Sequence, residues 1–158
     1  MVMFSSDDHR YMARALELAA LGQYSTKPNP CVGCVIVKKG DIVGEGWHEK
    51  AGEPHAEVHA LKKAGVNASG ATVYVTLEPC SHHGKTPPCA EALIEAGVNH
   101  VIIAMQDPNP LVAGMGMSKL REAGVTVSCG LLKNQAQALN KSFCHKMMTG
   151  KPYMTSKV

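Results

Sequence analysis

Aromatic side chains are scarce in this chain. Its 158 residues include one Trp, four Tyr and two Phe, 4% in all. The core must therefore be filled mainly by Val, Ile, Leu, Ala and Met, and little is left for stacking exposed bases. Charge of one sign is missing too: sixteen Lys and Arg against thirteen Asp and Glu leave a formal +3. No basic stripe stands out of the kind that neutralises a phosphate backbone, which weighs against a nucleic-acid partner. No apolar run approaches the roughly 18 residues that span a bilayer, which weighs against a membrane partner. The N-terminus, from Met1 to Asp8, has neither a basic nor an apolar signal-peptide region. A cytoplasmic location is expected. Internal repeats and low-complexity linkers are absent as well. What remains is 45% apolar and 18% charged, ordinary material for one globular domain.

The hydrophobic pattern alternates between two periods. Tyr11, Met12, Ala15, Leu16, Leu18 and Ala19 predict a helix over Asp7–Leu21, with Ser5 or Ser6 as its cap and Gly22 as its stop. The run from Lys27 to Pro30 predicts a shaped loop. Two β-rich runs, Val32–Lys38 and Ile42–Trp47, flank Lys39-Gly40-Asp41 as a hairpin. Pro54 precedes a helix over His55–Ala64. Strands are then predicted at Thr72–Leu77, Val98–Met105 and Val125–Ser128. Helices are predicted at Pro88–Ala96, Met117–Ala123 and Asn134–Met148, with a strand beginning at Tyr153. Such alternation predicts a layered α/β domain with some parallel strand pairing.

Cysteine and histidine are where the composition is uneven. Five of the eight histidines (His48, His55, His59, His82, His83) fall within 36 residues. The six cysteines of a chain in a reducing compartment are expected to be metal ligands or buried thiols, not disulfides. His55-Ala56-Glu57 opens a helix, and Cys80 and Cys89 bracket a loop between a strand and a helix. One imidazole and two thiolates suit Zn²⁺. Three protein ligands leave a fourth position open, as in catalytic zinc sites. A helix start favours thiolate, and Glu57 is the carboxylate placed to move protons.

The pattern matches the H-x-E half of the zinc-deaminase signature and departs from its P-C-x-x-C half. Eight residues, not two, separate Cys80 and Cys89. The insertion is basic and rich in donors, which suits a phosphorylated small molecule. Competing readings are weaker. His55 and His59 lack the glutamate at the second position that a metalloprotease pair needs. Gly84-Lys85-Thr86 is not a phosphate loop, because Pro79 stands where that motif needs Gly. Cys31 and Cys34 have C-x-x-C spacing but open an apolar strand, so they read as buried thiols; Cys129 and Cys144 read as inert. Asn29 is either a turn residue or a pocket donor, His48 either lines the site or ends its strand, and Asp107 has at least an equal claim to a turn role.

These residues together resemble the deaminase domain of the bifunctional riboflavin-biosynthesis deaminase/reductase family, a branch of the cytidine-deaminase-like superfamily. The resemblance is carried by Pro28-Asn29-Pro30-Cys31-Val32-Gly33, by Gly44-Glu45-Gly46-Trp47-His48, and by His55-Ala56-Glu57-Val58-His59-Ala60. It continues through the stretch from Thr76 to Cys89 and through Asp107-Pro108-Asn109-Pro110, and it covers essentially the whole chain. It implies a three-layer α/β/α sandwich around a mixed five-stranded sheet, with one Zn²⁺ per chain at His55, Cys80 and Cys89 and Glu57 as the catalytic proton shuttle. It also implies Asn29, His48, His82, Lys85 and Asn109 as substrate-binding residues. The implied substrate is 2,5-diamino-6-ribosylamino-4(3H)-pyrimidinone 5′-phosphate, and the implied assembly a homo-oligomer. Residues 1–149 would form the deaminase domain and 150–158 the start of a reductase domain, which alone would use NADPH. Two other functions compete: a deaminase acting on a base in RNA, and a zinc-stabilised binding module in which His82 or His83 closes the metal site.

Overall fold

Helix α1 (Ser6–Ala20) starts where the sequence places its cap. Ser5 Oγ accepts the Asp8 N–H at 3.0 Å, and the Asp8 carboxylate accepts the Ser5 N–H at 3.0 Å, a reciprocal capping box. The computed structural model describes residues 3–22, 29–50, 53–81 and 88–149. Over these it forms strands β1 (Gly33–Lys38), β2 (Asp41–Trp47), β3 (Thr72–Leu77), β4 (His100–Met105) and β5 (Thr126–Cys129). The further helices are α2 (Ala56–Ala64), α3 (Cys89–Glu95), α4 (Met115–Glu122), α5 (Lys133–Leu139) and α6 (Lys141–Thr149).

The strands form one sheet in the order β2-β1-β3-β4-β5. β1 runs antiparallel to both β2 and β3, while β3, β4 and β5 are parallel. The mixed five-stranded sheet is thus as the resemblance implies. Adjacent residues of a strand point to opposite faces, and Gly33 and Cys34 show how that sorts the helices. Gly33 abuts α1 at Ala15, whereas Gly46, the register partner of Cys34, abuts α2 at Ala56, His59 and Ala60. Hence α1 and α2 cover opposite faces, and the sheet is the middle of three layers. Val35, Ile36, Val73, Val75, Val101 and Ile103 are fully buried between them. The aliphatic core that the shortage of aromatics requires is observed.

Gly46 fixes how closely α2 can approach. A Cβ there would lie 2.5 Å from His59 Cβ, 2.7 Å from the Ala56 carbonyl oxygen and 2.8 Å from the Ala60 nitrogen. Overpacking of this kind costs about 1–3 kcal/mol. Gly46→Ala should therefore lower the urea midpoint and displace the helix that carries Glu57; an unchanged midpoint would contradict this packing.

Three expectations are corrected. The single helix expected over Asn134–Met148 is two, α5 and α6, broken at Asn140. Asn140 is buried, and its side chain grips the Cys31 backbone: Cys31 N–H donates to Oδ1 at 2.7 Å and Nδ2 donates to the Cys31 carbonyl at 2.9 Å. Its φ/ψ of −110°/33° ends α5. A 3₁₀ turn, Gly65–Ala68, follows α2, where the sequence suggests a plain stop. Helix α4 begins at Met115, two residues before the expected start, because its first amides find an acceptor just beyond the end of β3, described below. The strand expected from Tyr153 lies outside the described residues.

Candidate active site

Four chain segments meet at one edge of the sheet, and the topology requires it. β2 and β3 both run antiparallel to β1, and β4 runs parallel to β3. The carboxyl ends of β2, β3 and β4 therefore share an edge with the amino end of β1. This is the edge where open α/β sheets bind ligands. It gathers Asn29–Val32 before β1, His48 after β2, Glu78–Cys80 after β3 and Asp107 after β4. Short backbone bonds bind these segments together: His48 N–H donates to the Val32 carbonyl at 3.0 Å, and Glu78 N–H to the Met105 carbonyl at 3.0 Å. The amino end of α2 sits over the same edge.

His55 is the N-cap of α2, and Cys89 is the first residue of α3. Their placement brings one nitrogen and two sulfurs together. His55 Nδ1 lies 3.3 Å from Cys89 Sγ and 4.0 Å from Cys80 Sγ, and all three candidate ligand atoms lie within 4.8 Å of one another. A tetrahedral zinc with ordinary Zn–S and Zn–N bonds has ligand–ligand edges of about 3.5–3.8 Å. The donor set fits that ion in both chemistry and spacing. The Cys89 N–H donates to Cys80 Sγ at 3.1 Å, so the α3 amino end itself supports negative charge on sulfur. Hydrogen bonding with the Cys89 thiol, helped by His55, pulls Cys80 down to about 4 against the effect of burial. The same contact pushes Cys89 far up, and burial adds to it. The hydrogen bond to Cys80 raises the His55 imidazole despite burial.

Glu57 lies in the first turn of α2 and is 3% exposed. Burial pushes its carboxyl up to about 7, so near neutral pH it can both hold and release a proton. With His55 and Cys80 it lines a cavity of about 250 Å³, whose other walls include Asn29, His48, Glu78, Asp107 and Phe143. His48 is buried, with its ring 5.3 Å from that of His55 at an interplanar angle of 67°. Burial, and then the neighbouring His55, lowers its pKa, which favours the neutral imidazole. Its Nε2 is buried and finds no hydrogen-bond partner among the described residues.

The residues singled out from sequence separate into groups. His55, Glu57, Cys80, Asn29 and His48 line one cavity, and Cys89 completes the ligand trio. Asn109 is not among the lining residues: its N–H donates to Asp107 Oδ1 at 2.9 Å, and its Oδ1 accepts the Leu111 N–H at 3.0 Å. Asp107, ambiguous in sequence, both makes that turn and lines the cavity. His82 and Lys85, like His83, lie outside the described residues. His59 is not one of the ligand trio; its Nε2 is 3.9 Å from Glu49. Cys31 and Cys34 are buried, Cys129 and Cys144 half-buried, and all four are free thiols. Sequence reasoning missed Glu78, Phe143 and the bracing Asn140. Only Glu78 left a signal, as a carboxylate at the end of a buried strand beside a ligand.

The family model described as the cytidine and deoxycytidylate deaminase zinc-binding region matches residues 5–105. The chain belongs to this deaminase family. It is 63% identical over 151 residues to the riboflavin biosynthesis protein RibD of Escherichia coli, covering 96% of this chain but 41% of that protein. It is 54% identical over 145 residues to the diaminohydroxyphosphoribosylamino-pyrimidine deaminase of Buchnera aphidicola from Schizaphis graminum, covering 92% of this chain and 99% of that one. Among solved structures, RibD of Acinetobacter baumannii superposes with a TM-score of 0.91 at 58% identity, over 92% of this chain and 41% of that chain. The chain thus spans about two fifths of the RibD proteins and nearly all of the Buchnera deaminase. No helix among the described residues is long and apolar enough to cross a membrane.

Proposed function

We propose that this chain hydrolytically removes the 2-amino group of 2,5-diamino-6-ribosylamino-4(3H)-pyrimidinone 5′-phosphate, releasing ammonia in riboflavin biosynthesis. The observation that carries the reading is the convergence of His55, Cys80 and Cys89 with buried Glu57 on one small cavity. The likeness to the Buchnera deaminase along nearly its full length supports the choice of substrate.

His55, Cys80 and Cys89 would hold the zinc. When bound, it supplies Lewis acidity and brings the pKa of a coordinated water towards neutrality. Glu57 takes a proton from water as the water oxygen bonds to the amino-bearing carbon, and passes that proton to the adjacent ring nitrogen. It then takes the second proton from the new hydroxyl and delivers it to the departing amine. The C–N bond breaks as a carbonyl forms at that carbon, and NH₃ leaves. His48 and Asn29 orient the base from the cavity wall, with Nε2 of neutral His48 as acceptor for a substrate N–H or O–H. Asn109, on the neighbouring turn, belongs to the same proposed substrate set, as do His82 and Lys85 for the ribose phosphate. A cytoplasmic homo-oligomer, and a reductase domain with its own NADPH beginning at 150–158, complete the proposal.

Ammonia release from the diaminopyrimidine ribotide by the zinc-loaded chain tests it, with CMP and dCMP as parallel substrates. Turnover of the ribotide, with the cytidine nucleotides at least about 100-fold slower in kcat/KM, is the expected result. No ammonia from the ribotide at one zinc per chain would end the proposal.

A further inference from the structure

Helix α4 has no cap of its own. Its N-cap is Gly114, at φ 84°, and no local side chain bonds the first amides. The acceptor comes from β3's end instead. Glu78 Oε2 accepts the Met117 N–H at 3.1 Å, and Oε1 accepts the Gly114 and Asp107 N–H groups, both at 3.0 Å. Glu78 is 5% exposed, and a buried carboxylate with three amide donors at a helix amino end is strongly held.

The two ends of this joint lie at different parts of the site. Two residues beyond Glu78 is Cys80, while Asp107 forms the cavity wall. Gly116 lies so close to the Pro79 carbonyl that a Cβ would collide with its oxygen. On the same helix, Lys119 Nζ reaches Glu91 at 2.7 Å. Glu91 is in the first turn of α3, which begins at Cys89. Helix α4 therefore braces both thiol-bearing segments, and Glu78 is where that brace meets the substrate side.

We propose that Glu78 is a positioning residue that joins the 107–114 loop to the turn carrying Cys80, so that metal retention and substrate binding depend on one carboxylate. The proposal rests on the reading of His55, Cys80 and Cys89 as zinc ligands. Loss of a carboxylate that only stabilised the fold would lower the unfolding temperature and leave both properties unchanged below it.

Glu78→Gln, made in the full chain, separates these roles. Its amide keeps one oxygen acceptor but turns an NH₂ towards backbone donors. Zinc transfer to a chelator should quicken about tenfold, in line with other residues that orient metal ligands. KM for the ribotide should rise about tenfold, with kcat changed by less than about threefold. A folded variant with wild-type chelator kinetics and KM would overturn the proposal. If the variant does not fold, amide exchange in the native protein decides. Zinc loading should slow exchange at Asp107, Gly114 and Met117 by about tenfold or more, and unaltered exchange there overturns the joint. A wild-type protein that holds zinc but leaves the ribotide intact would refute the substrate reading alone, because chelator and exchange measurements need no substrate.

Discussion

Glu57→Gln should lower ammonia release from the ribotide by about 10²–10⁴-fold, the usual contribution of a positioned proton donor and acceptor. Zinc should remain near one per chain. The substitution is isosteric at a side chain 3% exposed, so packing is preserved and only proton chemistry is lost. Glutamine cannot shuttle a proton between water, ring nitrogen and leaving amine, whereas the glutamate has its carboxyl pushed up to about 7 by burial. Steady-state ammonia release and metal analysis of both proteins check this. Activity within a few-fold of wild type at equal zinc would remove Glu57 from the mechanism.

Cys89→Ala should have the other large effect, and a different signature. It removes one of three ligand atoms that lie within 4.8 Å of one another, and with it the thiol partner of Cys80. Zinc content should fall to less than about a tenth of an equivalent after dialysis, because a two-ligand site forfeits most of a binding free energy of order 10 kcal/mol. Ammonia release should vanish with the metal, and chelator treatment of the wild type should reproduce the loss reversibly. The two variants thus separate proton transfer from metal binding: one retains zinc without turnover, the other retains neither. Full zinc occupancy in Cys89→Ala would show that another side chain completes the site.

The parts of this protein legible in sequence are those in which neighbours in the chain act together. The α1 cap is a four-residue event between Ser5 and Asp8, so the sequence narrows it to Ser5 or Ser6. His55 and Glu57 are two residues apart at a helix start, so H-x-E announces a ligand and a proton carrier on one turn. The strands are legible because short runs rich in Val, Ile, Thr and Tyr are bounded by turn residues such as Gly40, Asp41, Pro79 and Asp107. Asn140 illustrates the opposite case. Its bonds to Cys31 span 109 positions, and nothing local distinguishes it from a helical asparagine, so one helix was expected where there are two. Glu78 is similar, since its three amide partners lie 29 to 39 residues onward. The Asp107 turn bonds only across two residues, yet its place on the cavity wall depends on where β4 lies in the sheet.

The scarcity of aromatics and of net charge determined that the core would be aliphatic and turned attention away from nucleic acid. The spacing of His55, Glu57, Cys80 and Cys89 determined which donor atoms were available and what chemistry they suit. Only the tertiary structure decided that these atoms meet. Antiparallel β1 placed between β2 and β3 turns the ends of three strands and the start of a fourth to one edge. It also decided what holds them there, because Glu78, Asn140 and Gly116 act on residues distant in the chain. Ligand identity is a property of side-chain chemistry, readable one residue at a time. Ligand position depends on long-range packing and backbone hydrogen bonds, which exist only once the chain has folded.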